Sequence, residues 1–251
     1  MTFVLLLAVS LLVGALIGAV GVGGILLIPA LSALAGLSIQ EAMATALFTF
    51  IFTGFLGTYL FHRRGSVDWL LALPVCVGAA AFGFFGAWMN SRLQAPQLAV
   101  ILAGVIIFAG VYTLRSWHGA PRPAFEGRKQ EQRALLLGIG ATAGFGSGLT
   151  GVGGPALSVP IMVLFGFPAL RTIGVSQVIQ ILAAASGTLG NLKYGTINFH
   201  VAAPVAAFEI AGVMLGVKIV HAVNAQVLRR FVAVLCVVVG TGLLARAMGW
   251  T

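Results

Sequence analysis

Charge is what this chain has least of. Aspartate, glutamate, lysine and arginine together make 8% of its 251 residues, and only 5 of them are acidic. A soluble domain is about a quarter charged, so there is too little polar side chain here to clothe a water-soluble globule. Cysteine is nearly missing as well. Cys76 and Cys236 stand singly within apolar runs, which fits buried thiols and excludes a disulfide framework. The 4 histidines are scattered, and no His/Cys/Asp/Glu cluster has metal-ligand spacing, so neither a metal nor a cofactor is expected. No nucleophile–base pair marks an enzyme, and no catalytic residue is assigned. The net charge of +9 is not patterned for nucleic acid. Its basic residues cluster in short gaps between apolar runs, where they orient segments in a membrane.

What the chain does have is apolar length: 60% hydrophobic residues and a mean hydropathy of +1.09. An all-α integral membrane protein is expected. Six plain spans are predicted at Glu41–Phe61, Val67–Met89, Pro96–Ser116, Leu170–Asn191, Ile197–His221 and Ala225–Met248. Each is long enough to cross a hydrocarbon core of about 30 Å. The opening stretch MTFVLLLAVSLL lacks the positive n-region of a signal peptide and is expected to remain in the mature fold. Only the region from Trp117 to Arg133 is hydrophilic, with Pro121, Pro123 and a run of charges, and it reads as a linker.

The sequence repeats itself at a shift of 130 residues without gaps. Gly14 falls on Gly144, Gly18 on Gly148, Gly21-Val22-Gly23-Gly24 on Gly151-Val152-Gly153-Gly154, Gly57-Thr58 on Gly187-Thr188, and Pro74-Val75 on Pro204-Val205. Apolar matches arise by chance in so apolar a chain, but a gapless register of glycines and prolines does not. The organisation expected is a first repeat over 1–116, a cytoplasmic linker over 117–133 and a second repeat over 134–251. Internal duplication is common among transporters. With the linker inside, inverted repeats put Arg63, Arg64, Arg115, Arg122, Arg128, Lys129, Arg133, Arg171, Lys218, Arg229 and Arg230 on the inner side, and leave only Arg92, Lys193 and Arg246 outside. Parallel repeats give a smaller bias, so the positive-inside rule favours inversion, with the N-terminus outside.

Ahead of each trio of spans lies a glycine-broken element, Thr2–Gly36 and Ala134–Gly166. Thirty-five residues of helix would measure roughly 52 Å, too long for one crossing and too short for two with a turn. Each element is therefore predicted to fold as a hairpin or as two half-helices. Unpartnered backbone groups in lipid cost several kcal/mol each, so non-helical backbone at depth belongs in protein or beside a polar cavity. Two such breaks would aim free N–H groups and positive helix ends into one gap, which makes an anion site. Pro155 suits the first turn of a helix, where its missing N–H is not needed. Gly14/Gly18 and Gly144/Gly148 suit close helix packing instead. The pattern Gly146-Ser-Gly148-Leu-Thr-Gly151 matches a dinucleotide fingerprint but has no preceding strand, and Arg171 stands where the acid belongs. It is set aside.

The paired Gly-Val-Gly-Gly breaks, with ATALF (Ala44–Phe48) after one and GVSQV (Gly174–Val178) after the other, resemble the TauE/SafE family of sulfite exporters, the toluene sulfonate uptake permeases. The resemblance covers nearly the whole chain. It implies secondary transport of sulfur-containing anions such as sulfite, sulfonates or sulfoacetate in the cell inner membrane. One departure is that Gly153-Gly154-Pro155 answers Gly23-Gly24-Ile25, so the two sides of the cavity are not expected to bind alike.

The substrate-binding set expected is Gly21, Val22, Gly23, Gly24, Thr45, Gly151, Val152, Gly153, Gly154, Pro155, Ser176 and Gln177. Thr45, Thr49 and Thr53 form a polar stripe that either lines a path or bonds back to its own helix. Gln177 and Gln180 need partners in hydrocarbon, either neighbouring helices or the oxygens of a sulfonate. Glu41 and Arg171 are register mates near an interface. Glu209 lies near mid-depth, and an intramembrane carboxylate is by default a functional candidate. It is read as a coupling-proton site, against a neutral carboxyl bonded to a neighbouring helix. The partners expected are a small anion and the bilayer, with a channel using the same broken helices as the rival function.

Overall fold

The computed structural model describes residues 2–20, 23–114, 123–219 and 225–248. Among these there are only helices: α1 Thr2–Val20, α2 Leu27–Ala35, α3 Ile39–Arg63, α4 Trp69–Arg92, α5 Ala95–Leu114, α6 Lys129–Thr150, α7 Pro155–Leu164, α8 Ala169–Tyr194, α9 Phe199–Ile219 and α10 Ala225–Ala247. All six predicted spans form helix, but the six segments long and apolar enough to cross a bilayer are in α1, α3, α4, α5, α8 and α9; in α10 the apolar stretch among the described residues is the shorter Cys236–Ala247. The linker region differs from expectation at its end. Turns over 124–127 give way to α6 at Lys129, where Gln132 N donates to Arg128 O and Glu131 in the first turn suits the helix dipole. Charged residues thus carry α6 beyond its apolar part.

Polarity is distributed for lipid. Val4, Phe55, Leu70 and Leu189 stand on the outside, whereas Thr45, Thr49, Thr53, Ser158, Gln177, Gln180 and Glu209 are buried. A chain with that distribution is stable where the surroundings are hydrocarbon and the polar groups face other helices.

The helices approach through glycine. A Cβ on Gly140, Gly144 or Gly148 of α6 would collide with the carbonyl oxygen of Val75, Ala79 or Gly83 of α4. The same collision occurs between α1 and α9, where Gly14 meets the Glu209 carbonyl and Gly18 that of Val213. Each of these α1–α9 contacts has its mate 130 residues on in α6–α4. The first helix of one half therefore packs on the fourth helix of the other. With no apolar driving force inside lipid, such close van der Waals contact is what holds the helices. Gly148→Val should lower the thermal midpoint of the purified protein by an amount matching about 3 kcal/mol or more, the upper range of overpacking. Gly138→Val, on the same helix with no atom within 4 Å of its Cβ, serves as the control and should stay within about 1 kcal/mol of wild type. Equal melting of the two variants would remove the packing argument.

The running directions follow from the same contacts. Position numbers rise together in α1–α9 and in α6–α4, so those pairs are parallel. Between α3 and α8 they run oppositely: Gly54 lies against Ile181, Gly57 against Gln177, and Gly187 against Leu47. The α5–α10 pair is antiparallel too, with Gly110 beside Ala233 and Gly240 beside Ile107.

Candidate functional site

Both glycine breaks are real interruptions of helix. After α1 the chain folds back, and a Cβ on Gly23 would lie 2.7 Å from Leu16 Cβ and 2.9 Å from Ile17 N. A 3-10 turn over Gly24–Leu26 then leads into α2, with Leu26 N donating to Gly23 O at 3.1 Å. After α6, Gly151 caps the helix, and its N–H donates to Ser147 O at 2.8 Å. Gly153 takes φ +87°, and Gly154 and Pro155 begin α7, where Ser158 N donates to Gly154 O at 3.0 Å. Both elements fold as hairpins of one longer and one shorter helix. Of the N–H groups at these openings, Leu26 and Leu27 donate to Gly23 O and Gly24 O, Leu157 and Ser158 donate to Gly154 O, and Pro155 has none, whereas Ala156 N–H has no acceptor among the described residues.

The two breaks meet. One small cavity, with room for about one water molecule, is lined by Gly23, Gly24 and Ile25 from the first break and by Val152, Pro155 and Ala156 from the second. Ile17, Phe50 and Gln180 complete its wall. The Phe50 ring is wedged between the breaks: a Cβ on Gly24 would lie 2.6 Å from Phe50 Cζ, and one on Gly153 would lie 3.2 Å from Phe50 Cδ2. Phe50 and Gln180 are register mates and touch directly, Gln180 Nε2 donating to Phe50 O at 3.1 Å and to Thr53 Oγ1 at 2.8 Å. A residue meets its own mate only where the two halves of the register cross, so the cavity sits at that crossing.

The residues picked out in the sequence divide into three groups. Gly23, Gly24, Val152 and Pro155 line the cavity, and Gly153 and Gly154 shape its edge against Phe50 and Ile179. Gly151, Thr45, Ser176 and Gln177 stand away from it. Gly151 packs on the Met43 backbone, Thr45 Oγ1 accepts from Asn198 N at 3.1 Å, and Ser176 donates back to Ile173 O at 2.7 Å. Gln177 is buried against Gly57 with neither amide atom hydrogen-bonded. Gly21 and Val22 lie outside the described residues. Ile17, Ile25, Phe50 and Ala156 carried no signal in a chain so rich in their kind. Gln180 did carry one, as an amide in an apolar span. The threonine stripe is spent on structure in part, since Thr49 donates to Ala46 O at 2.8 Å and Thr53 to Phe50 O at 3.3 Å.

Glu209 is fully buried on α9. Its backbone packs on Gly14, its carboxyl faces the side chain of Thr49 on α3, and neither carboxyl oxygen has a hydrogen bond within bonding distance. The register mates of this pair are Ala79 and Ile179, both buried and apolar, so only one side of the molecule carries a polar group here. No other ionisable side chain occurs along α1, and those of α3 and α9 lie toward the helix ends.

Two contacts tie the ends of the long helices, and they too are mates. Asn198 Nδ2 donates to Glu41 Oε1 at 3.2 Å, and Arg171 pairs with Asp68 at 3.5 Å. Adding 130 to Glu41 and Asp68 gives Arg171 and Asn198. Because α3 and α8 are antiparallel, the contacts at their N-terminal ends lie on opposite faces of the molecule. Glu41 and Arg171 are thus tethers between helix ends.

Comparison with known proteins agrees with this architecture. No solved structure matches the chain. It is 26% identical to a probable membrane transporter protein of Bacillus subtilis, YdhB, over 90% of this chain and 93% of that one. Another from the same organism, YunE, is 24% identical over 97% and 98% of the two chains. A probable membrane transporter protein of Methanocaldococcus jannaschii, MJ0441, is 22% identical over 90% and 91%. The family model described as sulfite exporter TauE/SafE matches residues 6–243, which takes in both breaks and every helix around the cavity. With membrane-length helices, two matched breaks and that coverage, the chain belongs to the TauE/SafE family and is a multi-pass membrane transporter.

Proposed function

We propose that the protein is a secondary transporter of small sulfur-containing anions, of the sulfite, sulfonate or sulfoacetate type, working by alternating access across the cytoplasmic membrane. Residues 1–116 and 134–251 act as inverted repeats, joined on the cytoplasmic side by the linker over 117–133. The observation that carries the reading is the meeting of both helix breaks at one cavity. Free N–H groups and the positive ends of two short helices favour an anion there. Inversion is supported by the antiparallel run of the mated helices α3 and α8, and α5 and α10. The sulfur chemistry rests on the name of the family.

The mated tethers, Glu41–Asn198 and Asp68–Arg171, support a rocking mechanism. Inverted repeats with one central site exchange conformations as the site turns from one face to the other. A latch on each face, one charged and one an amide–carboxylate contact, allows one to open while the other holds. Glu209 supplies the coupling proton, since taking up a proton removes a charge that would cost several kcal/mol in hydrocarbon.

Counterflow decides between a carrier and the rival anion channel. In proteoliposomes, unlabelled sulfite on the inside should accelerate entry of labelled sulfite several-fold. A pore using the same breaks as a filter is indifferent to trans substrate, and that result would overturn alternating access.

A further inference from the structure

The cavity is not lined by donors alone. Gln180 is 3% exposed and contributes to the cavity wall, yet its amide nitrogen is fully occupied by Phe50 O and Thr53 Oγ1. The orientation of the amide is set by its neighbours. Phe50 O can only accept, and the Thr53 hydroxyl already donates to that same carbonyl at 3.3 Å, leaving a lone pair for the second Gln180 N–H. Turning the amide over would set two carbonyl oxygens against each other. What remains is Oε1, to which no donor among the described residues is hydrogen-bonded, and which is not among the sealed, unpartnered polar atoms of the core. It is the one side-chain polar atom that this cavity-lining residue leaves unbonded.

We infer that Gln180 is a specificity-determining residue, whose side-chain oxygen selects anions that carry their own hydrogen-bond donor. The inference rests on the anion-site reading above and narrows it. The free N–H groups of the two breaks take the charged oxygens, while Oε1 takes a hydroxyl, an amino group or the proton of a half-neutralised oxyanion. A fully deprotonated or purely alkyl anion leaves this acceptor unpaired, and a fully deprotonated one also sets negative oxygen against it. Discrimination by leaving a polar group unpaired is stronger than discrimination by size. The device belongs to one side of the register only, because the mate of Gln180 is the hydrocarbon ring of Phe50.

The test uses two sulfonates of equal charge and nearly equal shape, 2-hydroxyethanesulfonate and propanesulfonate, titrated calorimetrically into the purified full-length protein. The wild type should bind the hydroxylated anion about tenfold more tightly, the size expected for one buried acceptor satisfied or left bare. Gln180→Leu should bring the two affinities together. Thr53→Val, which keeps the Gln180 oxygen but frees one amide N–H to turn inward, should narrow the preference and serves if the leucine variant does not fold. Equal wild-type affinities for the two anions, or a preference that survives in Gln180→Leu, would overturn the inference while leaving the anion site standing. Binding of neither sulfonate, nor of sulfite, would overturn both.

Discussion

Gly153→Ala should weaken anion binding and transport by tenfold or more, whereas Gly36→Ala should leave both near wild type. The two glycines pose the same backbone problem. Gly153 has φ +87° and Gly36 has φ +68°, a region where an L side chain costs roughly 1–2 kcal/mol. Their surroundings differ. Nothing lies within 4 Å of a Cβ on Gly36, but one on Gly153 comes to 3.2 Å from the Phe50 ring. Gly24 also packs against the tip of this ring, which lines the cavity, so a shift of the ring changes the cavity wall. Both variants should lose similar thermal stability, and only one should lose function. Calorimetric binding of sulfite beside thermal melting separates the two effects. Equal function in the two variants would mean that the break has no part in binding.

Glu209→Gln should abolish uptake driven by a pH gradient and leave counterflow at zero gradient largely intact. The substitution keeps the shape of the side chain and removes its ability to gain or lose a proton. No other ionisable group lies in the middle of α1, α3 or α9 to replace it. The carboxyl faces Thr49, the neighbour in sequence of Phe50, so a change in its charge is felt one residue from the cavity wall. Thr49→Val should then alter the pH dependence of uptake without removing it. Coupled transport that persists unchanged in Glu209→Gln, measured in proteoliposomes with an imposed gradient, would assign the proton elsewhere and leave Glu209 as buried structure.

How much of this was legible beforehand varies with the physics involved. The spans were, because apolar length and the scarcity of charge are local properties: α3 over Ile39–Arg63 and α8 over Ala169–Tyr194 lie within a few residues of expectation. The breaks were legible too, since glycine and proline act on their own backbone. The packing role of Gly14, Gly18, Gly144 and Gly148 followed from their spacing and is met by the contacts with α9 and α4. The start of α6 at Lys129 was not, because charged residues that look like linker are also good helix formers outside the bilayer.

The composition and the 130-residue register by themselves determined that the chain is helical, lies in a membrane, is duplicated, and carries two matched interruptions, since each of these follows from what residues do to their own backbone and to lipid. The tertiary structure alone decided that α1 pairs with α9 and α6 with α4, that both interruptions close on Phe50, and that Gln180 rather than Gln177 reaches the cavity. Those two amides stand one turn apart on the same side of α8, facing α3. Which of them meets the cavity depends on how far α8 slides along α3, and that offset is set by the contacts of Gly54 and Gly57 across a hundred and more residues of intervening chain. No local pattern encodes a slide between two helices; it is fixed only when all their neighbours are in place.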